Sequence, residues 1–408
     1  MAQVNLYIPR EFSCLRTAII HDWLTVNGGA ERVLEQIINV LPHADLFSMI
    51  DFLPEASRGF LKQKPVHTSF IQGLPCAKRY YRNYLPLMPL AVEQFALEKY
   101  DLVVSSSYAV AKGVITGPDQ LHISYVHSPV RYAWDLQHEY FREMGLNRGL
   151  KAWLAKWMLH RVRMWDARTA NGVDHFLANS HFIRRRVWKI YRREATVIYP
   201  PVDVQEFPLQ ETKDDFFMTA SRMVPYKRID MIVEAFSYLS DKHLVVIGEG
   251  PELSRIKSKA TPNVSILGHQ SDDSLRHYMQ HARAFVFAAQ EDFGIAPVEA
   301  QACGTPVIAY GKGGVTESVR GLDAEHPTGV FFAEPTVESL IEAIGLFERN
   351  RERMSPAACR ENATRFAPDR FRAEFAGFVR RELAALGDPQ GSAPPASFYA
   401  RAVAGAGD

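Results

Sequence analysis

Cysteine is scarce in this 408-residue chain, with only Cys14, Cys76, Cys303 and Cys359, all far apart and with no C-x-x-C pair. Such usage offers no zinc-ligand rhythm and no disulfide framework, and it suits a reducing cytosol. Long apolar runs are missing too: no stretch of about 18 apolar residues occurs, so no membrane-spanning helix is expected. Met1 to Arg16 lacks a basic segment followed by an apolar one, so no secretory signal is expected and the reading is cytoplasmic. Neither sign of charge is in excess. Lys and Arg number 47 against 46 Asp and Glu, a formal net charge of +1, which gives no global reason for a nucleic-acid partner. No Asp-x-Asp pair and no His/Cys cluster with ligand spacing is present, so neither a cofactor nor a metal is expected. Glycine and proline, at 25 and 24, are ordinary, as are the 47% hydrophobic and 23% charged fractions. Disorder throughout and collagen-like repeats are thereby excluded, and at ~100–200 residues per domain the length implies two or three domains.

What the chain does have is alternation. In the C-terminal half, short apolar runs (Phe216–Ser221, His243–Gly248, Val264–Leu267, Ala284–Ala289, Pro306–Tyr310, Val330–Ala333) are separated by helix-length amphipathic segments. These helices fall near Ile229–Leu239, Glu252–Lys259, Asp272–His281, from Pro297, near Thr316–Arg320 and over Val337–Asn350. Strands this short and apolar are buried on both faces, and helical connections between them mean a parallel sheet. The N-terminal half repeats the theme with strands at Thr17–His21, Leu46–Asp51, Leu102–Ser106, Ile123–His127, His175–Ala178 and Thr196–Tyr199. Lys62–Lys99 and Asp135–Asn171 are expected to be helical insertions. The fold class is therefore α/β, two Rossmann-like domains over 1–203 and 204–368, with the boundary at the paired prolines of Tyr199–Asp203. A helix over 369–386 carries Phe371, Phe375 and Phe378 at i, i+4, i+7 spacing, so one apolar face should dock. The tail 387–408, rich in Gly, Ala, Pro and Ser, is expected to be disordered.

In α/β sheets ligands bind beyond the carboxyl ends of the strands, so residues placed there carry the functional argument. Gly28-Gly29-Ala30-Glu31 follows the first strand and precedes a helix near Ala30. Paired glycines allow close backbone approach and a helix N-terminus favours phosphate, although a loop that merely needs positive φ is the competing reading. Arg222 and Lys227 flank the turn after Phe216–Ser221 and offer a forked donor plus a point charge, as a diphosphate requires; a solvated basic turn competes. Glu291 and Glu299 are separated by seven residues, Glu291 in a loop after a buried strand. Glu299 is expected in the first turn of a helix with Pro297 at its first position, where the helix dipole alone would justify a carboxylate. Gly311–Gly314 adds a second Gly-rich rim. His127 ends a strand on the same side of its sheet, where function and structure compete evenly.

The combination of Gly28-Gly29-x-Glu31, His127, Arg222 with Lys227, Gly248-Glu249-Gly250-Pro251, and Glu291-x7-Glu299 followed by Gly304-Thr305-Pro306 resembles the retaining family-4 nucleotide-sugar glycosyltransferases of GT-B fold. The likeness runs over residues ~15–385, and His127–Asp135 is similar to bacterial GDP-mannose-dependent mannosyltransferases of surface-polysaccharide synthesis. The resemblance implies two facing domains, the first for acceptor and the second for donor, with the last helix returning to the first. It implies that Arg222 and Lys227 neutralise the donor diphosphate, that Glu299 holds the ribose and that Glu291 bonds the sugar. Backbone N–H groups of Phe293, Gly294, Ile295 and Ala296 would sit near the distal phosphate, Gly268 near the base, His127 near the transferring sugar, and Gly28 and Gly29 opposite the phosphates.

One local charge feature stands out from the neutral whole. From Lys151 to Arg193 there are eleven Lys/Arg and two Asp, a net +9 in 43 residues, interleaved with Trp153, Trp157, Trp165, Trp188 and Tyr191. A basic, aromatic-bearing helix suits an anionic membrane surface, where a lipid-linked glycan acceptor would reside. A solvated face over core tryptophans is the competing reading. The expected protein is thus peripheral on the inner face of the cytoplasmic membrane, with a nucleotide-sugar donor and no nucleic-acid partner. A UDP-hexose or UDP-N-acetylhexosamine donor, a GT-B sugar-nucleotide epimerase and a nucleotide-sugar-binding scaffold are the alternatives.

Overall fold

The computed structural model describes residues 12, 14–137, 141 and 148–386; the tail 387–408 lies outside the described residues. Two compact units divide the chain. One comprises the residues up to Pro200 together with those from Phe371, the other Pro201–Arg370.

Among the described residues the first unit holds seven parallel strands: β1 Thr17–His21, β2 Asp45–Ser48, β3 Val66–Thr68, β4 Leu102–Ser107, β5 Leu121–Val126, β6 His175–Ala178 and β7 Ala195–Val197. Their order is β3-β2-β1-β4-β5-β6-β7. Its helices are α1 Gly29–Val40, α2 Ala77–Tyr80, α3 Met88–Val92, α4 Leu150–Thr169 and α5 His181–Tyr191. The second unit holds β8 Phe216–Ala220, β9 His243–Ile247, β10 Val264–Gly268, β11 Ala284–Phe287, β12 Val307–Tyr310 and β13 Gly329–Phe332, ordered β10-β9-β8-β11-β12-β13. Its helices are α6 Ile229–Ser237, α7 Leu253–Lys259, α8 Asp272–His281, α9 Ile295–Ala302, α10 Val315–Ser318, α11 Val337–Asn350 and α12 Pro356–Thr364. The final helix, α13 Pro368–Leu386, buries Phe371, Phe375, Phe378 and Val379 in the same apolar core as Ile19, Val104 and Tyr125 of the first unit. Burying side chains of this size contributes about 1.5–3 kcal/mol each.

Several sequence expectations need correction. Residues 62–99 are not a helical insertion but β3 followed by 3-10 turns and two short helices. Pro65, Pro75, Pro86 and Pro89 interrupt any longer helix, and a three-residue edge strand is too short to show alternation. Helix α9 begins at Ile295, two residues before Pro297, because Gly294 at φ +86° caps the helix there. Helix α12 was not anticipated; its buried face is small and partly polar (Ala358, Cys359, Asn362, Ala363), without an apolar stripe. Gly28 has φ −127°, ordinary extended backbone, so positive φ is not its reason for being glycine.

Helix α4 is fixed to its unit by a polar anchor. The Lys112 ammonium meets Asp166 Oδ1 at 2.9 Å, both side chains being buried. Asp166 also accepts from Trp134 Nε1 at 2.7 Å and from the Tyr191 hydroxyl at 3.0 Å. Trp165 is partly buried over Gly113 and donates to Glu93 at 2.7 Å. Trp165 and Tyr191 are therefore internal, whereas Trp153, Trp157 and Trp188 are exposed. Removing one partner of such a buried pair leaves the other charge uncompensated, at about 3–5 kcal/mol. Lys112→Met should lower unfolding stability in urea by that amount, and a loss under about 1 kcal/mol would show that the pair is not the anchor.

Candidate active site

The six-stranded sheet reverses its order between β8 and β11, and open α/β sheets place ligands beyond the strand ends at such a switch. Both strands lead into loops that the sequence singled out. After β8 the chain passes Ser221 and the exposed Arg222 into a 3-10 turn, Pro225–Lys227, and Arg228 at φ +54° starts α6. After β11 comes Glu291. The Lys227 ammonium and Glu291 Oε1 form an ion pair across the switch, each side chain mostly buried.

Glycines make this convergence sterically possible. Gly248 has φ +134°, and a Cβ there would lie 1.9 Å from the Ser221 carbonyl oxygen. Gly250 would meet the Met223 carbonyl oxygen at 2.2 Å. In their absence of side chains, the Ser221 N–H donates to Ile247 O at 3.1 Å and the Met223 N–H to Glu249 O at 2.8 Å. The loop carrying Arg222 is thus clamped by the Gly248–Pro251 loop. On the other side, Cβ atoms on Gly313 and Gly314 would lie 2.5 Å from Glu291 O and 2.2 Å from Asp292 O, and the Gly314 N–H donates to Glu291 O at 2.8 Å. The Gly311–Gly314 rim is therefore a seat for the Glu291–Phe293 backbone.

The remaining predicted residues cluster at the same edge. Gly268, at φ +70°, accepts from the Gly248 N–H at 2.8 Å and ends β10. Phe293 is buried and meets the Phe366 ring edge-on at 5.2 Å. Gly294 caps α9, and Ile295 and Ala296 occupy its first turn, where N–H groups lack intrahelical acceptors and suit an anion. Glu299 is buried at the fifth helical position, beyond the first turn. The dipole argument for it accordingly lapses.

In the seven-stranded sheet the switch lies between β1 and β4, and the residues there form a buried polar chain. His127 stands one residue past β5, and its Nε2 is 2.8 Å from Ser106 Oγ. Ser106 Oγ is 3.1 Å from His21 Nδ1, and His21 Nε2 is 3.4 Å from Glu31 Oε1. The other Glu31 oxygen accepts from the Gly28 N–H at 2.9 Å, tying in the Gly28-Gly29 loop, in which Gly29 is exposed. Burial pulls the His127 imidazole down to about 3, with His21 adding to the effect, so the ring is neutral. Beside the chain, Asp22 accepts four backbone N–H groups, from Tyr108, Ala109, Val110 and Ala111, at 2.5 to 2.8 Å. Sequence reasoning singled out His127 and the glycines but missed His21, Ser106 and Asp22. The available signal was their position: His21 ends β1, Asp22 follows it, and Ser106 is the penultimate residue of β4, as His127 directly follows β5.

Two parallel-sheet, Rossmann-like units are the architecture of the GT-B class of glycosyltransferases, and comparison with known proteins agrees. Residues 203–366 match the family model described as Glycosyl transferases group 1, and residues 27–206 match Glycosyltransferase Family 4. A GDP-mannose-dependent alpha-(1-6)-phosphatidylinositol monomannoside mannosyltransferase of Mycobacterium tuberculosis is 32% identical over 264 residues, covering 56% of this chain and 67% of that protein. An uncharacterized glycosyltransferase of Methanocaldococcus jannaschii is 29% identical over 161 residues, covering 37% of this chain but only 45% of its own length. The solved structure of Anabaena HepE in complex with UDP has a TM-score of 0.66 at 17% identity, covering 90% of this chain and 100% of that one. The chain belongs to the family-4 glycosyltransferases of GT-B fold.

Proposed function

We propose that this protein transfers a hexose, mannose from GDP-mannose, onto a lipid-linked oligosaccharide in bacterial surface or exopolysaccharide synthesis, with retention at the anomeric carbon. The observation that carries this reading is the Lys227–Glu291 pair across the switch point, beside the first turn of α9. A departing nucleoside diphosphate gains negative charge in the transition state, and fixed cations that bind it there lower the barrier. Arg222 and Lys227 supply that charge. An ammonium has three donors, so Lys227 serves the phosphate while keeping Glu291 in place. Glu291 then accepts from hydroxyls of the donor sugar, Glu299 from the ribose, and the N–H groups of Phe293 to Ala296 face the distal phosphate. The base lies by Gly268. His127 bonds the transferring sugar, and Gly28 and Gly29 leave room for it. In the retaining step the acceptor oxygen bonds to the anomeric carbon as the bond to phosphate breaks, and the leaving phosphate takes the acceptor proton.

Support for GDP-mannose comes from His127–Asp135 and from the name of the mycobacterial relative. The acceptor reading rests on α4. Its exposed stripe, Leu150, Trp153 (62% exposed), Leu154, Trp157 and Met164, is flanked by the exposed cations Lys151, Lys156 and Arg161. Such a face suits anionic headgroups, each Lys or Arg adding about 1 kcal/mol. No helix of the described residues is long and apolar enough to cross a membrane. In α5, Arg184 and Arg185 are exposed, but Arg186 turns inward to Ser128 Oγ at 2.9 Å and to Asp135. Arg186 is therefore withdrawn from the membrane face expected of the Lys151–Arg193 stretch.

Two measurements check the reading. Transfer of radiolabelled mannose from GDP-mannose to a membrane lipid extract should fall at least about a hundredfold in Lys227→Ala with little change in melting temperature; parallel losses of both would make Lys227 structural. Sedimentation with phosphatidylglycerol vesicles should fall severalfold in Trp153→Ala/Trp157→Ala and in Arg184→Ala/Arg185→Ala. Unchanged sedimentation of either double variant would remove that pair from the membrane face.

A further inference from the structure

We infer that Arg228 and Lys312, gathered on the ring of Tyr310, form an oxyanion subsite of the second unit that takes a phosphoryl group. The inference does not depend on the identity of the donor.

Lys227 and Arg228 are adjacent in sequence but serve different strands. The Lys227 ammonium lies 6.0 Å from the ring of Phe287, which ends β11, and pairs with Glu291. The Arg228 guanidinium lies 5.5 Å from the ring of Tyr310, which ends β12. Tyr310 is buried and stacks on Phe332 at 5.6 Å, so its ring is a fixed platform. The exposed Lys312 ammonium stands 5.5 Å from the same ring centre. Contact with the Tyr310 hydroxyl, and then Glu334, raises the Lys312 pKa, while Arg228 opposes them as a nearby like charge does.

Arg228 differs from an ordinary solvated arginine in its partners and in its backbone. Its Nη1 is buried without a hydrogen-bond partner, and its side chain makes no hydrogen bond or ion pair with any described residue. Buried donors are almost always paired, and a guanidinium carries five of them in a fork that matches two oxygens of one anion. The Tyr310 ring attracts the charge but gives these N–H groups no oxygen acceptor. The backbone is costly as well. At φ +54°, Arg228 is the only non-glycine residue with positive φ among the described residues of the second unit. Glycine would occupy that position without strain, so an arginine there needs a reason in its side chain. The class of anion follows from the charge. Arg228 and Lys312 share one ring, and neither is in an ion pair with a described carboxylate. A single carboxylate would neutralise one of them, whereas a doubly charged phosphoryl group, with three oxygens, answers both the fork and the point charge.

Titration calorimetry of the full-length protein with inorganic phosphate, at constant ionic strength, tests the assignment. Phosphate binding should survive Lys227→Ala, because the Lys227–Glu291 pair belongs to the neighbouring strand. Arg228→Met, which keeps a side chain over the ring, and the exposed Lys312→Met should each weaken it at least about tenfold, the worth of one charge-assisted hydrogen bond. Arg228→Lys, a point charge without the fork, should fall between Arg228→Met and the wild type. Acetate at the same concentration should bind at least about tenfold more weakly than phosphate, having one charge for two cations. In phosphate-free buffer Arg228→Gly should melt no lower than the wild type, since it removes a strained backbone and an unpaired donor together. A merely structural arginine would give a lower melting temperature instead, which would overturn the inference. So would wild-type phosphate affinity in both Arg228→Met and Lys312→Met, loss of phosphate binding in Lys227→Ala, or acetate bound as tightly as phosphate. Failure of the proposed donor would leave all of these measurements unchanged.

Discussion

Backbone must touch backbone at the carboxyl edge of the six-stranded sheet, and only glycine permits it. Gly248 and Gly250 seat the loop of Arg222, and Gly313 and Gly314 seat the loop of Glu291. Without these contacts the β8 and β11 loops would be held apart and the Lys227–Glu291 pair could not form as it does. A Cβ at 1.9–2.5 Å from a carbonyl oxygen is a steric overlap that must be relieved by moving a loop, and moving either loop moves a charged side chain. The glycines of the second unit thus serve charge placement through sterics, and a nest for phosphate is not needed to explain them.

The first unit solves the corresponding problem with buried polar groups. Asp22 gathers four N–H groups just after β4, which fixes the turn that follows Ser106. Glu31 binds the Gly28 N–H and faces His21, so one carboxylate joins the Gly-rich loop to the β1–β4 switch. Buried polar groups of this kind are expensive unless each is paired, and here each has a partner. Helix α4, anchored by Lys112 and Asp166, is correspondingly free to expose apolar and basic residues on its other side without loosening.

Much of this was legible in the sequence. The strands of the second unit fall within about two residues of expectation, because each is a short buried run closed by a turn. Asp272–His281 and Val337–Asn350 match at both ends, their Ser271 and Thr336 N-caps accepting from the backbone three residues on. The proline-interrupted segment 62–99 hid its strand, and α12 hid behind small buried residues. The sites were legible only in part. Arg222, Lys227, Glu291 and His127 could each be placed at a strand end, but their partners could not. Lys227 meets Glu291 because β8 neighbours β11, and Ser106 meets His21 because β4 neighbours β1 in register. Neither adjacency is local in sequence. His21, as the last residue of an otherwise apolar strand, looked like its boundary.

If the Lys227–Glu291 edge receives a guanine nucleotide sugar as proposed, that nucleotide should stabilise the folded protein. A ligand at 100 times its Kd adds about 2.7 kcal/mol, a readily measured rise in melting temperature. Melting would be followed with GDP, GDP-mannose, UDP, UDP-glucose and ADP at millimolar concentration, with and without EDTA. Stabilisation by GDP and GDP-mannose alone, indifferent to EDTA, is expected. A response to UDP species only would rule out GDP-mannose as the donor, and no response to any nucleotide would rule out a nucleotide-sugar site at this edge.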